Sequence, residues 1–227
     1  MRAPLSIVIP TLNAEAELAL CLGALGDGLK AGLIREVIVS DGGSQDQTLA
    51  IAAEAGAGIV TGPPGRGGQL ARGAETAKGA WLLILHADTV LSDGWAGPVG
   101  DHMASGSDTA GYFRLMFRAP GVAPRLVAGW ANLRSRLFGL PYGDQGLLIS
   151  RALYDQVGGY PAIPLMEDVA LAKALRGRLQ ALPVTAATSA ERYQKAGWLR
   201  RGARNLWTLL WFHLGASPDD LARSYRR

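Results

Sequence analysis

Asp41, Arg66, Asp88 and the pair Glu167-Asp168 each stand at the edge of an apolar run or a glycine-rich turn, where a side chain can face a ligand. Asp88 follows the run Trp81-Leu82-Leu83-Ile84-Leu85, and a carboxylate there can hold a hard divalent cation. Arg66, within Gly65-Arg66-Gly67-Gly68, sets a flexible cation beside backbone N–H groups at a helix start, an arrangement that suits a phosphate. Glu167 or Asp168 can serve as a general base, and Asp41 can accept a hydrogen bond from a ligand N–H. Taken singly, each has a plainer reading. Asp41-Gly42 makes a turn, Asp88 caps one, Arg66 decorates a surface loop, and acidic residues are common at helix starts.

The elements that must position these groups follow from the apolar pattern. Leu5–Ile9 is apolar on both alternating faces, so it predicts a strand covered on both sides, stopped by Pro10. Asn13 is expected to cap the next helix, with Glu15 and Glu17 against its dipole. Residues 36–40 and 58–61 read as strands, and Ser44 with Gln47 as a capping box opening a helix to about Ala55. After the loop 62–68 a helix is expected over about 69–77, then the strand 81–85. Four strand-then-helix units predict an α/β architecture, a doubly wound, mostly parallel sheet with helices on both faces. Ligands then bind beyond the carboxyl ends of the strands, where Thr11, Asn13, Asp41, Arg66 and Asp88 all fall. Beyond residue 100 the spacing predicts strands over 112–117 and 146–150, and helices over about 122–137, from Arg151, from Glu167-Asp168, over about 196–214, and from Ser217-Pro218.

Composition narrows the class. The 227 residues are 48% hydrophobic and 19% charged, a balance that can bury a core. The single cysteine, Cys21, excludes an intrachain disulfide, lies in an apolar helical stretch as a small buried residue, and makes a reducing, cytoplasmic setting the expectation. The first apolar run is too short for a signal peptide, and no segment approaches the ~20 residues of a membrane span. The net charge of +4 gives no reason to expect nucleic acid as a partner. Basic residues do gather late, at Arg192, Lys195, Arg200, Arg201, Arg204, Arg223, Arg226 and Arg227.

In order and spacing, several segments resemble the family-2 glycosyltransferases with the GT-A fold. They are Ser6-Ile7-Val8-Ile9-Pro10-Thr11-Leu12-Asn13-Ala14-Glu15, Val39-Ser40-Asp41-Gly42-Gly43-Ser44, Gly65-Arg66-Gly67-Gly68-Gln69, Leu85-His86-Ala87-Asp88-Thr89, Gly143-Asp144-Gln145-Gly146 and Leu165-Met166-Glu167-Asp168-Val169. The resemblance covers about residues 5 to 175. It implies one GT-A domain over 1–227: a nucleotide-sugar-binding half to about 110, an acceptor and catalytic half over about 111–190, and C-terminal helices over about 191–227. It implies that Pro10, Thr11, Asn13 and Glu15 line a nucleoside pocket, that Asp41 contacts the base, and that Arg66, His86 and Asp144 serve the nucleotide sugar. Asp88 matches the last acid of the family's Asp-x-Asp metal motif. Asp168, with Glu167 beside it, matches the catalytic base of an inverting transfer from a nucleotide-diphosphate sugar, uridine being the family's commonest nucleoside. His86 replaces the first metal-motif acid and brings no negative charge, so weaker binding of the divalent cation, or Mn²⁺ over Mg²⁺, is expected. The His-Ala-Asp-Thr form and the short length resemble a compact bacterial-type branch.

The acceptor is not legible, but the last third bears on it. Trp198, Leu199, Leu206, Trp207, Leu210, Trp211 and Leu214 recur at helical spacing between arginines, as a core-packing helix or as an amphipathic helix on the inner face of a cell membrane. Members of the family that face membranes use lipid or lipid-linked acceptors. His213 could ligate a metal, although helix packing is the plainer role. A sugar nucleotidyltransferase or a nicotinamide dehydrogenase would place its glycine-rich loop after the first strand, where Pro10-Thr11-Leu12-Asn13 stands instead. A non-catalytic, membrane-associated binding protein on the same fold is the remaining alternative.

Overall fold

The computed structural model describes residues 3–226, so Arg227 of the basic run lies outside the described residues. The chain opens with β1 (Leu5–Thr11), α1 (Glu15–Gly23), α2 (Gly26–Lys30), β2 (Ile34–Asp41), α3 (Thr48–Glu54), β3 (Gly58–Thr61), α4 (Arg66–Thr76) and β4 (Trp81–Ile84). β1 pairs in parallel with β2 and β4, and β2 with β3, so this half has the expected parallel winding. The reason is visible in β1 and β4. Leu5, Ile7, Ile9 and Leu83 pack with Leu18 and Cys21 of α1 and Ala52 of α3, while Val8, Leu82 and Ile84 pack with Leu70 and Ala74 of α4. Strands covered on both faces need apolar side chains at every position.

The second half is mixed rather than parallel. It comprises β5 (Thr89–Leu91), α5 (Ala96–Ser105), β6 (Ala110–Phe117), α6 (Val122–Phe138), β7 (Leu147–Ser150), α7 (Arg151–Gln156), α8 (Glu167–Ala174), β8 (Leu179–Thr188), α9 (Glu191–Ala196), α10 (Trp198–His213) and α11 (Pro218–Arg226). The sheet order is β3-β2-β1-β4-β7-β6-β8-β5. β7 runs antiparallel to β4 and β6, β5 antiparallel to β8, and β6 parallel to β8. No helix separates β4 from β5, so the fourth strand-then-helix unit is absent. Among the described residues no helix is long and apolar enough to cross a membrane.

Three local expectations are corrected. Pro10 does not stop β1, which continues to Thr11 opposite Asp41. Val8 turns its carbonyl toward Leu85, and Pro10 faces the same side beyond the last β4 pair, so its missing N–H costs no ladder bond. Asn13 does not cap α1, and Ser44 with Gln47 forms no capping box. Instead the two helix starts cap each other: Ala14 N–H donates to Thr48 Oγ1 (2.7 Å), Glu15 N–H to Asp46 (3.1 Å), and Gln47 N–H to Glu15 Oε2 (2.9 Å).

Two glycines set how closely α4 can approach. A Cβ on Gly73 would lie 2.4 Å from Val8 Cγ1, and one on Gly67 would lie 2.4 Å from the Pro161 carbonyl oxygen and 2.6 Å from that of Ile163. Gly67→Ala therefore forces backbone apart at the start of α4. It should cost roughly 1–3 kcal/mol and lower Tm by several degrees in a thermal melt. Gly68→Ala, one residue on and 3.5 Å from the nearest side-chain atom, should hold or raise Tm.

Candidate active site

Two helix starts from distant parts of the chain meet beyond the carboxyl ends of β1, β2 and β4. At the first, Gly65 takes φ 142°, a conformation open to glycine, and Arg66 begins α4. At the second, Met166 sits at φ 67° in the left-handed region, a strained placement for its side chain, immediately before Glu167 and Asp168. The guanidinium Nε of Arg66 donates to Glu167 Oε1, across 101 positions of sequence. Glu167 is fully buried and Arg66 half-buried. Burial pushes the Glu167 carboxyl upward, against Arg66. The Arg66 guanidinium, despite its own desolvation, is held above its ordinary value by Glu167, Asp168 and Asp144. Arg66 is thus a fixed cation, not the flexible one expected.

Consecutive helical residues point about 100° apart, so while Glu167 turns inward Asp168 faces a cavity of about 120 Å³. Asp168 Oδ2 accepts the Gly143 N–H (2.8 Å) and Oδ1 the Val169 N–H (2.8 Å), leaving each oxygen a further acceptor site. The same cavity is lined by Arg66, His86, Asp88 and Asp144. A Cβ on Gly143 would fall 2.4 Å from His86 Nε2, so only glycine lets this turn lie against the imidazole. Burial, with Arg66 and Arg192, keeps His86 well below its usual pKa and therefore neutral. Asp144 is pushed up to about 6 by desolvation, only partly offset by Arg134. Asp88 also rises through burial, against the pull of Arg192 and a Thr188 hydrogen bond.

Asp88 Oδ1 and Asp144 Oδ1 are buried without a hydrogen-bond partner. Buried carboxylate oxygens are normally satisfied, and an exception of this kind fits a cation. Among the described residues no three His, Cys, Asp or Glu side chains enclose a metal site by themselves. Mg²⁺-like ions nevertheless bind through one or two carboxylates, with water and substrate phosphate completing the shell, and the donors present fit that pattern.

Pro10, Thr11, Asn13, Glu15 and Asp41 do not line this cavity. Asp41 is buried and accepts four protein hydrogen bonds: from Thr11 Oγ1 (2.9 Å), Ser44 Oγ (2.5 Å), Gly43 N–H (2.7 Å) and Ser44 N–H (2.8 Å). These four donors hold the carboxylate in place and close the turn after β2. Asn13, at φ 50°, accepts the Gln45 N–H, and Glu15 the Gln47 N–H, so both lock the loop after β2 to the one after β1. Glu167 lies behind the cavity as the counter-ion of Arg66. His213 is exposed, its Nδ1 beside the Leu209 carbonyl (2.9 Å), away from the cavity. Cys21 is buried, its thiol 3.5 Å from the His86 carbonyl that accepts it, and burial with Asp88 nearby pushes it up to about 12.

The sequence assigns no site role to the remaining lining residues, although Arg192 and Arg201 belong to the late basic run. Tyr142 is held under the Arg134 guanidinium, 3.5 Å from its ring centroid. Arg192 and Tyr193 come from α9, and Arg201 and Asn205 from α10. The i, i+4 spacing of Arg201 and Asn205 within an amphipathic helix was the available signal. Gln69, two residues after Gly67 in α4, has a structural part. Its buried amide donates to the Thr11 (2.6 Å) and Ser40 (3.0 Å) carbonyls and accepts from Gly65 N–H (3.2 Å), joining two strand ends to the start of α4.

Desolvation alone would raise Asp41, but donors from Ser44, Thr11 and Gly43 outweigh it and hold the carboxyl below its ordinary 3.8. The stabilisation is therefore full above that unfolded value and is lost as pH falls through the lower folded one. Asp41→Asn should cost roughly 2–3 kcal/mol at neutral pH. The gap from the parent in denaturant melts should narrow as the buffer is taken below the carboxylate range.

The family model of glycosyl transferase family 2 matches residues 6–140. Curated relatives include the PGL/p-HBAD biosynthesis glycosyltransferases of Mycobacterium tuberculosis H37Rv and Mycobacterium bovis AF2122/97. Each is 35% identical over 173 residues, covering 70% of this chain and 64% of the relative, so the chain spans under two thirds of their length. Among solved structures, glucosyl-3-phosphoglycerate synthase of M. tuberculosis, in complex with Mn²⁺ and UDP-glucose, aligns with TM-score 0.57 at 20% identity, over 82% of this chain and 70% of that one. TarS of S. aureus aligns with TM-score 0.60 at 16% identity, over 88% and 39%. The structural likeness carries the GT-A fold, and the family match covers more than half of the sequence. The chain belongs to glycosyl transferase family 2.

Proposed function

We propose that the protein transfers a sugar from a nucleotide-diphosphate sugar, a UDP-sugar first among them, to a hydroxyl acceptor with inversion at the anomeric carbon. The observation that carries this reading is the meeting of Asp168, Asp88, Asp144, Arg66 and neutral His86 around one cavity at the carboxyl ends of the strands. Support also comes from the glucosyl-3-phosphoglycerate synthase structure, which holds Mn²⁺ and UDP-glucose on the same fold.

Asp168 takes the proton from the acceptor hydroxyl. The freed oxygen attacks the anomeric carbon from the face opposite the diphosphate, the bond to the diphosphate oxygen breaks, and the nucleoside diphosphate departs with the electron pair. Gly143 and Val169 N–H groups fix the carboxylate's orientation for that attack. Arg66, held by Glu167, and Arg192 set positive charge in the cavity for the leaving phosphates. Asp88, with the unpartnered oxygen of Asp144, would hold a divalent cation, Mn²⁺ or Mg²⁺, whose charge further stabilises the leaving diphosphate. We read the acceptor as a lipid or lipid-linked hydroxyl, with α10 in peripheral contact with a membrane. Leu199, Leu206, Trp207 and Leu210 are exposed on its outer side, whereas Leu209 and Phe212 pack with Met166 and Val169. On this reading the inner side of the helix packs on the core and its outer side would meet the membrane.

The first test is thermal stability with UDP, GDP and dTDP, each with and without Mn²⁺. One nucleotide at a hundred times its Kd should stabilise the fold by about 2.7 kcal/mol. That shift should require Mn²⁺ and vanish in Asp88→Ala. No shift with any nucleotide would leave the non-catalytic reading. Asp168→Asn should keep the nucleotide shift and lose transfer by several orders of magnitude, read as sugar release from the donor to acceptor extracts. Full activity in that variant would remove Asp168 as the base.

A further inference from the structure

α6 was expected only as a helix, yet its outer face is among the most apolar exposed surfaces of the protein. Val122, Leu126, Trp130, Leu133 and Leu137 recur at three- and four-residue steps, so they form one stripe, and all are exposed, Leu126 at 68% and Trp130 at 48%. The opposite face is committed: Ala128 and Ala131 pack on Leu115 and Phe117 of β6, and Asn132 bonds the Leu115 backbone in both directions. α10 touches α6 and has the same two-sided build, with Leu199, Leu206, Trp207 and Leu210 outward. None of the 19 acidic residues of the chain lies within Val122–Phe138 or Trp198–His213, while Arg125, Arg136 and Arg200 are exposed along these helices.

We infer that α6 and α10 together form a docking surface for an anionic lipid bilayer. The inference rests on the peripheral contact proposed for α10 and extends it to a second helix and a headgroup charge. Apolar stripes edged by arginine, with tryptophan among the exposed residues, match the acyl–headgroup boundary, where arginines meet anionic headgroups. A second copy fits worse. An isologous contact would bring the same arginines face to face with no acid on either helix to pair them. The inner sides of these helices also reach the cavity, through Arg201 and Asn205 of α10 and through Arg134 of α6, which holds Tyr142. Docking therefore sets the cavity beside a lipid-borne hydroxyl.

Flotation with vesicles of phosphatidylcholine alone and of phosphatidylcholine with phosphatidylglycerol tests this, without any nucleotide, so that a failure of the donor reading leaves the result untouched. The parent protein should float with the anionic vesicles, weakly with the neutral ones, and salt should release it. Leu126→Glu/Trp130→Glu in α6 and Trp207→Glu/Leu210→Glu in α10 should each weaken anionic binding by about tenfold or more. These side chains are exposed, so the circular dichroism melts should stay close to the parent's. Arg125→Glu/Arg136→Glu, which leaves the apolar stripe intact, should weaken anionic binding while sparing the residual neutral binding. No flotation at low salt would overturn the proposal. So would α6 variants that bind like the parent, or a parent that ignores vesicles but forms a dimer that Trp130→Glu dissociates.

Discussion

A fully buried carboxylate with one partner governs how this protein is put together. Glu167 is shut off from solvent, and among the described residues its salt-bridge partner is Arg66, through one of its two oxygens. Such a pair adds little net stability over an apolar replacement, but breaking it leaves an uncompensated buried charge. It therefore fixes where the start of α4 can lie relative to the start of α8, and the carbonyls of Pro161 and Ile163 against Gly67 enforce the same distance by contact. With those two helix starts set, Asp168 has one place to go, and Gly143 is drawn in by its hydrogen bond.

The charge arrangement around the cavity follows from this. Arg66 is held by Glu167, so on the proposed reading it would meet a phosphate with little reorganisation. His86 is neutral between two arginines, and Asp144 and Asp88 are both raised by burial. A second acid in place of His86 would add a further desolvated carboxylate to a group that already strains to ionise. The imidazole lowers that repulsion, and a smaller negative charge for a cation comes with it.

The parallel half of the fold was legible because burial on both faces writes apolar residues on both faces of β1 and at every position of β4. β8 was not, because Leu-Gln-Ala-Leu-Pro-Val-Thr-Ala-Ala-Thr has neither a clean alternation nor a continuous apolar run, and its proline reads as a break. At three residues β5 is too short to carry a period. Asp88, Arg66 and Asp168, which line one cavity, were legible as candidates because each stands at the end of a readable element. Asn13, Glu15 and Asp41 bind backbone of the loops after β1 and β2, and the side chains that bind nucleosides are also those that cap helices and close turns. Sequence alone does not separate the two uses. Arg192 and Asn205 reach the cavity because α9 and α10 fold back over it, a long-range placement that no local pattern records.

Cys21 gives this arrangement a built-in clock. Its thiol donates to the His86 carbonyl from beneath the turn that carries Asp88, with no solvent exposure and a pKa near 12. A thiol so placed reacts with alkylating reagents only when the chain around it opens, because the reactive thiolate is both scarce and shielded. As the sole cysteine of the chain, it makes its alkylation rate a site-specific record of how often the floor of the cavity comes apart, with no engineered label to disturb it.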